Sequence, residues 1–105
     1  MDTTRLTHPV VKSALDAWQG EDLAGWLAHF APDARLYDDG QPRDLKRFSN
    51  EIGKERFTRI DAVENGGLDV FGQFHSDTWG DFRTYFKFQI GADGKITRLD
   101  IGQAN

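Results

Sequence analysis

The chain has 105 residues, with 17 acidic and 13 basic side chains for a formal net charge of −4, and that length fits one domain. No cysteine is present, which excludes disulfides, thiolate catalysis and cysteine-ligated zinc or iron–sulfur sites. Its Arg and Lys are scattered among acids, unlike the clustered basic face that nucleic-acid binders use to displace phosphate counterions.

Met1-Asp2-Thr3-Thr4-Arg5 lacks the charged-then-apolar pattern of a signal peptide. No apolar run approaches the ~18 residues that a membrane helix needs. The expectation is a cytoplasmic protein with no membrane and no nucleic-acid partner. Eight Phe and three Trp point to a core built on large rings, each burying much area.

In chain order, Val11, Ala14, Leu15 and Trp18 repeat at the i, i+3, i+4, i+7 spacing of one helix face. Thr7 or His8 can cap its start, Pro9 suits the first turn, and Gly20 suits the end. Leu23, Trp26, Leu27 and Phe30 repeat that spacing behind Asp22, a second cap, and Pro32-Asp33 is expected to break this helix. Ala34 to Asp39 reads as a short strand that ends in the turn signal Asp38-Asp39-Gly40. A third helix is expected from near Asp44, burying Leu45, Phe48 and Ile52, and ending at Gly53.

Beyond Arg56 the period changes to two. Thr58 to Glu64 is followed by Asn65-Gly66-Gly67, a strong hairpin signal. Leu68, Val70 and Phe74 then alternate with Asp69, Phe71, Gln73 and His75. In the next strand Phe82, Thr84, Phe86, Phe88 and Ile90 share one face, with Arg83, Tyr85, Lys87 and Gln89 on the other. Ala92-Asp93-Gly94 turns into a last strand, Lys95 to Gly102. Three amphipathic helices and a meander with one apolar face make an α+β layer pair.

The stretch from Gly20 to Ala34, with Glu21-Asp22-Leu23 at its start and Phe30-Ala31-Pro32-Asp33-Ala34 at its end, resembles a signature of the nuclear-transport-factor-2-like (SnoaL-like) superfamily. Tyr85-Phe86-Lys87-Phe88 through Gly94-Lys95-Ile96 is similar to that superfamily's last two strands. The resemblance implies a cone: three N-terminal helices on a curved, mainly antiparallel sheet (a cystatin-like α+β roll), with residues 1–105 as one domain. It is specific for fold and weak for function, because the same fold carries isomerases, cyclases, dehydratases and non-catalytic adaptors.

Within that superfamily the ketosteroid isomerases can be compared residue by residue. Their general-base aspartate falls on Asp38. Their two oxyanion donors, a tyrosine and a protonated aspartic acid, fall on Ala14 and Thr84. The base position is kept and both strong donors are missing. Loss of one such donor typically costs on the order of 10²–10³ in rate, so isomerisation by that mechanism is not expected.

For Asp38 two readings stand. As the resemblance implies, it enters a cone walled by Trp and Phe rings, desolvated into a proton acceptor. Otherwise Asp38-Asp39-Gly40 is a solvated turn bonding local amides. Alternation along a strand lets only one of the two acids face a pocket. His75 is a second candidate proton carrier at a rim, or a hydrogen-bonded surface histidine. His8 and His29 read as helix-face residues without a role. Thr84 is the polar member of a Phe-lined strand face, satisfied on backbone or donating weakly to a ligand.

Trp18, Trp26, Phe30, Phe48, Phe82 and Phe86 are expected to line the cone, while Trp79 in a turn suits a pocket mouth or subunit contact. No spacing of His, Asp or Glu suits a metal, and no cofactor is implied. Neither a Gly-x-Ser-x-Gly elbow nor a glycine-rich phosphate loop is present. Two functions remain open. One is a small-molecule enzyme (isomerase, cyclase or lyase) with Asp38 as base on a small apolar ligand. The other is a non-catalytic binding domain, homodimeric through the outer sheet face, that holds a small apolar ligand or a partner protein.

Overall fold

The computed structural model describes residues 3–104. The first helix, α1 (Pro9–Gln19), starts where His8 Nδ1 accepts from the Val10 amide and buries Val11, Ala14, Leu15 and Trp18. The short helix α2 (Leu23–Ala28) is capped by the Asp22 carboxylate, which accepts from the Gly25 amide. It stops sooner than the periodicity suggests. Its leading Leu23 is exposed, and the chain turns at His29 directly into β1 (Phe30–Asp38). Pro32-Asp33 therefore lies within a strand, at a register shift against its neighbour, and does not end the helix.

His8 and His29 are helix ends, not faces. His29 Nδ1 pairs with the Gly25 carbonyl and Nε2 with Ser13 Oγ, tying α2 to α1. A strand with no sequence forecast, β2 (Gln41–Arg43), pairs with β1 across the Asp39-Gly40 turn. All three of its residues are exposed, so no alternation marks it. Asp44 then caps α3 (Leu45–Ser49) through the Arg47 amide.

The remaining strands are β3 (Glu55–Glu64), β4 (Asp69–Ser76), β5 (Gly80–Ile90) and β6 (Ile96–Gln103). They complete a six-stranded sheet in the order β2-β1-β6-β5-β4-β3, antiparallel at every pairing except β1 with β6. Register shifts interrupt the β1–β6, β3–β4 and β5–β6 ladders. Each added residue bends its strand and raises the local twist, and the sheet curves around the helices.

The concave face buries Phe57, Val70, Phe74, Phe86, Phe88, Leu99 and Ile101 against the helices. Ring packing joins the two layers through Phe48 of α3 and Phe86 of β5, at 6.3 Å, and continues within each layer. Trp18 stacks on Phe48 at 5.0 Å and meets Trp26 edge-on at 5.0 Å, while Phe57 and Phe86 pack at 4.9 Å. Both buried indoles find partners: Trp18 Nε1 donates to the Glu55 carbonyl, and Trp26 Nε1 to Ser49 Oγ.

Candidate functional site

The ends of β1 and β6, the starts of β3 and β5 and the turn between β4 and β5 surround a cavity of about 440 Å³. Phe48, Phe74, Phe82, Phe86 and Ile101 form its apolar wall, and Trp79, 78% exposed, stands at its edge. A wider depression of about 870 Å³ lies between β1, β2 and α3. None of its lining residues is a buried polar or charged group, so the smaller cavity is the candidate site.

Asp38, the last residue of β1, lines this cavity. Its Oδ2 accepts from Arg43 Nη1 at 2.8 Å, and its side chain is 35% exposed. It is thus an ion-paired carboxylate on the rim, not the fully desolvated acid that the resemblance implies. Arg43 also lies over the Phe48 ring at 5.0 Å, which fixes the guanidinium between wall and acid. Asp39 takes the turn with φ of 49°. Its Oδ1 accepts from the Gln103 amide and sits over Gly102 beside the Tyr85 hydroxyl, toward the outer face. Both acids border the cavity, Asp38 through its ion pair with Arg43 and Asp39 beside Gly102 and Gln103.

Thr84 lines the cavity, but its hydroxyl donates to the Gly102 carbonyl at 2.7 Å. That proton is committed to the backbone. His75 does not reach the cavity. Burial along β4 falls on Val70, Gly72, Phe74 and Ser76, so alternation sends His75 to the convex face. There Nδ1 meets Asp81 Oδ1 at 2.7 Å and Nε2 meets Asp77 Oδ1 at 2.9 Å. The bond to Asp81, then that to Asp77, raises the imidazole above its ordinary value.

Of the expected wall residues, Phe48, Phe82, Thr84 and Phe86 line the cavity. Trp18 and Trp26 do not, because α1 and α2 bury both indoles completely in the ring cluster. Phe30 opens instead onto the wider depression.

Sequence reasoning missed Glu55. This first residue of β3 is only 8% exposed and lines the cavity beside Phe74 and Phe86. Its Oε2 accepts from Ser76 Oγ at 2.9 Å. Burial raises its pKa above the usual carboxylate range, opposed by the Ser76 hydrogen bond; among the nearby charges, Glu51 and Asp38 raise it and Arg43 lowers it. The available signal was its position two residues before Phe57, on the inward face of an alternating strand. Among the described residues, no group of three or more His, Asp or Glu is arranged to hold a metal ion.

No protein-family model matches the sequence, and neither does any curated protein. Solved structures do match. A candidate polyketide cyclase from Sinorhizobium meliloti superposes with a TM-score of 0.76 at 22% identity, over 96% of this chain and 99% of that one. An NTF2-like protein of unknown function from Cytophaga hutchinsonii gives 0.73 at 14% identity, over 93% and 89%. A SnoaL-like protein of unknown function from Burkholderia thailandensis gives 0.69 at 16%, over 97% of both chains. Helix order, the curved sheet and these superpositions agree that the chain has the nuclear-transport-factor-2-like, SnoaL-like cone fold.

Proposed function

We propose that residues 1–105 form one SnoaL-like small-molecule domain in which Asp38 acts as general base on an apolar ligand held in the cavity. One observation carries this reading: the Asp38 carboxylate, ion-paired with Arg43, opens onto a space walled by Phe48, Phe74, Phe82 and Phe86. Aromatic walls bind an apolar body, and a carboxylate within reach of it can take a proton from carbon. Arg43 holds that carboxylate in one place, which limits the reorientation needed before transfer. The reaction class is isomerase-, cyclase- or lyase-like, begins with C–H cleavage and requires no cofactor.

Deuterium uptake at the α-carbon of 2-tetralone in D2O, followed by NMR, tests this directly. The ketone has an apolar body and an exchangeable C–H. The wild-type chain is expected to accelerate exchange, and Asp38→Asn to lose a factor on the order of 10²–10⁴, the usual contribution of a positioned base. Exchange at equal rates in both proteins sinks the catalytic reading.

A non-catalytic, homodimeric role has its own support on the convex face. Tyr37, Phe71 and Tyr85 are only partly covered there. Arg98 lies over Tyr37 at 4.1 Å, Arg83 over Phe71 at 5.7 Å and Lys87 over Tyr85 at 5.2 Å. Aromatic side chains and Arg are enriched in protein–protein contacts. Light scattering decides: a dimer that becomes a monomer in Phe71→Asp supports this face, and a wild-type monomer removes it.

A further inference from the structure

The proposed chemistry leaves one requirement open. When a base removes a proton next to a carbonyl, negative charge develops on the oxygen, and a donor must meet it. The resemblance places Ala14 and Thr84 where donors are expected. Ala14 has no polar group and is wholly buried in α1, and the Thr84 hydroxyl donates to Gly102. His75 is on the other side of the sheet, held by Asp77 and Asp81. Glu55 is the acid buried at the cavity itself.

We propose that Glu55 is a second catalytic residue of this cavity, a carboxylic acid that donates its proton to the carbonyl oxygen of a ketone- or ester-class ligand while Asp38 takes the carbon-bound proton. The proposal rests on the cavity reading above. The geometry around Glu55 is fixed from three sides. Ser76 Oγ accepts the Thr78 and Trp79 amides at 3.2 and 3.0 Å, so the lone pairs of that oxygen are engaged and its own proton points to Glu55 Oε2. Trp18 Nε1 binds the Glu55 carbonyl at 2.8 Å, and the Glu55 amide donates to the Glu51 carbonyl at 2.9 Å. Ser76 takes up Oε2, and the other oxygen of the carboxyl is left to carry the proton.

The charges facing Glu55 are Asp38 from β1, Arg43 from β2 and Glu51 from the segment after α3. Two of these three are acids, and the hydrogen bond of Arg43 goes to Asp38. Among the described residues no Lys or Arg forms an ion pair with Glu55. A buried acid without a cation favours its neutral form. Of the four carboxyl groups that line the cavity, Asp38, Asp39, Glu55 and Asp81, the ion-paired Asp38 accepts and the buried Glu55 donates.

The step balances without a co-reactant. The α-C–H bond breaks and its proton passes to Asp38; its electron pair forms the C=C bond of an enol; the C=O π pair moves onto oxygen and takes the Glu55 proton, which leaves Glu55 as the carboxylate. The proton on Asp38 exchanges with D2O, and reversal of both transfers then returns a ketone deuterated at carbon.

Exchange into 2-tetralone is again the probe, with Glu55→Leu and Glu55→Gln beside Asp38→Asn. Glu55→Leu is expected to lose on the order of 10² in kcat/KM, as for one lost oxyanion donor. Glu55→Gln retains an N–H donor of the same shape. It is expected to keep most of the rate and to lose the alkaline fall that ionisation of Glu55 imposes on the wild-type pH profile. An infrared carbonyl band from a protonated carboxyl group at neutral pH, absent in Glu55→Gln, checks the proton in the unaltered protein even where the Leu variant does not fold. Wild-type exchange in Glu55→Leu with exchange lost in Asp38→Asn overturns the role of Glu55 and leaves the cavity reading intact. Absence of the infrared band also overturns it. No exchange by the wild type at all removes both.

Discussion

A carboxyl group taken out of water without a cation destabilises the fold whenever it must ionise. Glu55 is in that position, since burial outweighs the Ser76 hydrogen bond and raises its pKa. The sign follows from linkage. With the folded value above the unfolded one, the native state binds more protons, so the contribution is fully present below the ordinary glutamate value of about 4.3. It is lost as pH rises through the raised folded value. Glu55→Gln keeps an acceptor for Ser76 and removes the ionisation, so it is expected to melt above the wild type at neutral pH, with the gap closing toward acid. Thermal melts at several pH values check this; equal pH dependence in both proteins would contradict it. The sequence concealed this residue because Glu55 falls between Gly53, where the third helix is expected to end, and Arg56, beyond which the period of two is read. A register shift between Phe57 and Arg59 then moves the next buried position to Ile60, so the inward alternation is broken. Asp38 was singled out through the ketosteroid-isomerase resemblance, but its ion pair was not legible, since Arg43 arrives on a strand with no sequence signature.

Among the elements, the β4–β5 hairpin carries the most chemistry for its length. Its inward Ser76 holds both Glu55 and the turn amides, and its outward His75 bridges Asp81 and Asp77. Because these bonds raise the His75 pKa, their stabilisation is present below the ordinary histidine value of about 6.5 and is lost as pH rises through the higher folded value. Arg56 acts in the opposite sense. His75→Gln is expected to flatten the stability profile across that window while changing little on its alkaline side. Denaturant midpoints measured on both sides of neutrality would show it, and an unchanged slope would contradict it. The helices illustrate a different balance. Asp22 and Asp44 cap as their residue type dictates, yet α2 ends after 6 residues and α3 after 5. Helices this short owe their stability to tertiary packing, not to propensity.

For the whole molecule, one ring cluster serves as core and cavity wall at once. Phe86 packs against Phe48, Phe57, Phe74 and Phe88 and also faces the cavity. Phe86→Ala is therefore expected to cost about 3–5 kcal/mol, a large part of the 5–15 kcal/mol that typical domains possess. Urea unfolding measures this; a loss under about 1 kcal/mol would mean that the cluster collapses onto the gap. The α+β class, the Asp22 cap, the helix start near Asp44, the hairpin at Asn65-Gly66-Gly67 and the inward face of β5 were determined by sequence, because each depends on neighbours a few residues apart. The six-strand order, the parallel pairing of β1 with β6 and the burial of Glu55 were decided only in the tertiary structure. They arise from strand curvature and from contacts between residues far apart in the chain, which no local period encodes.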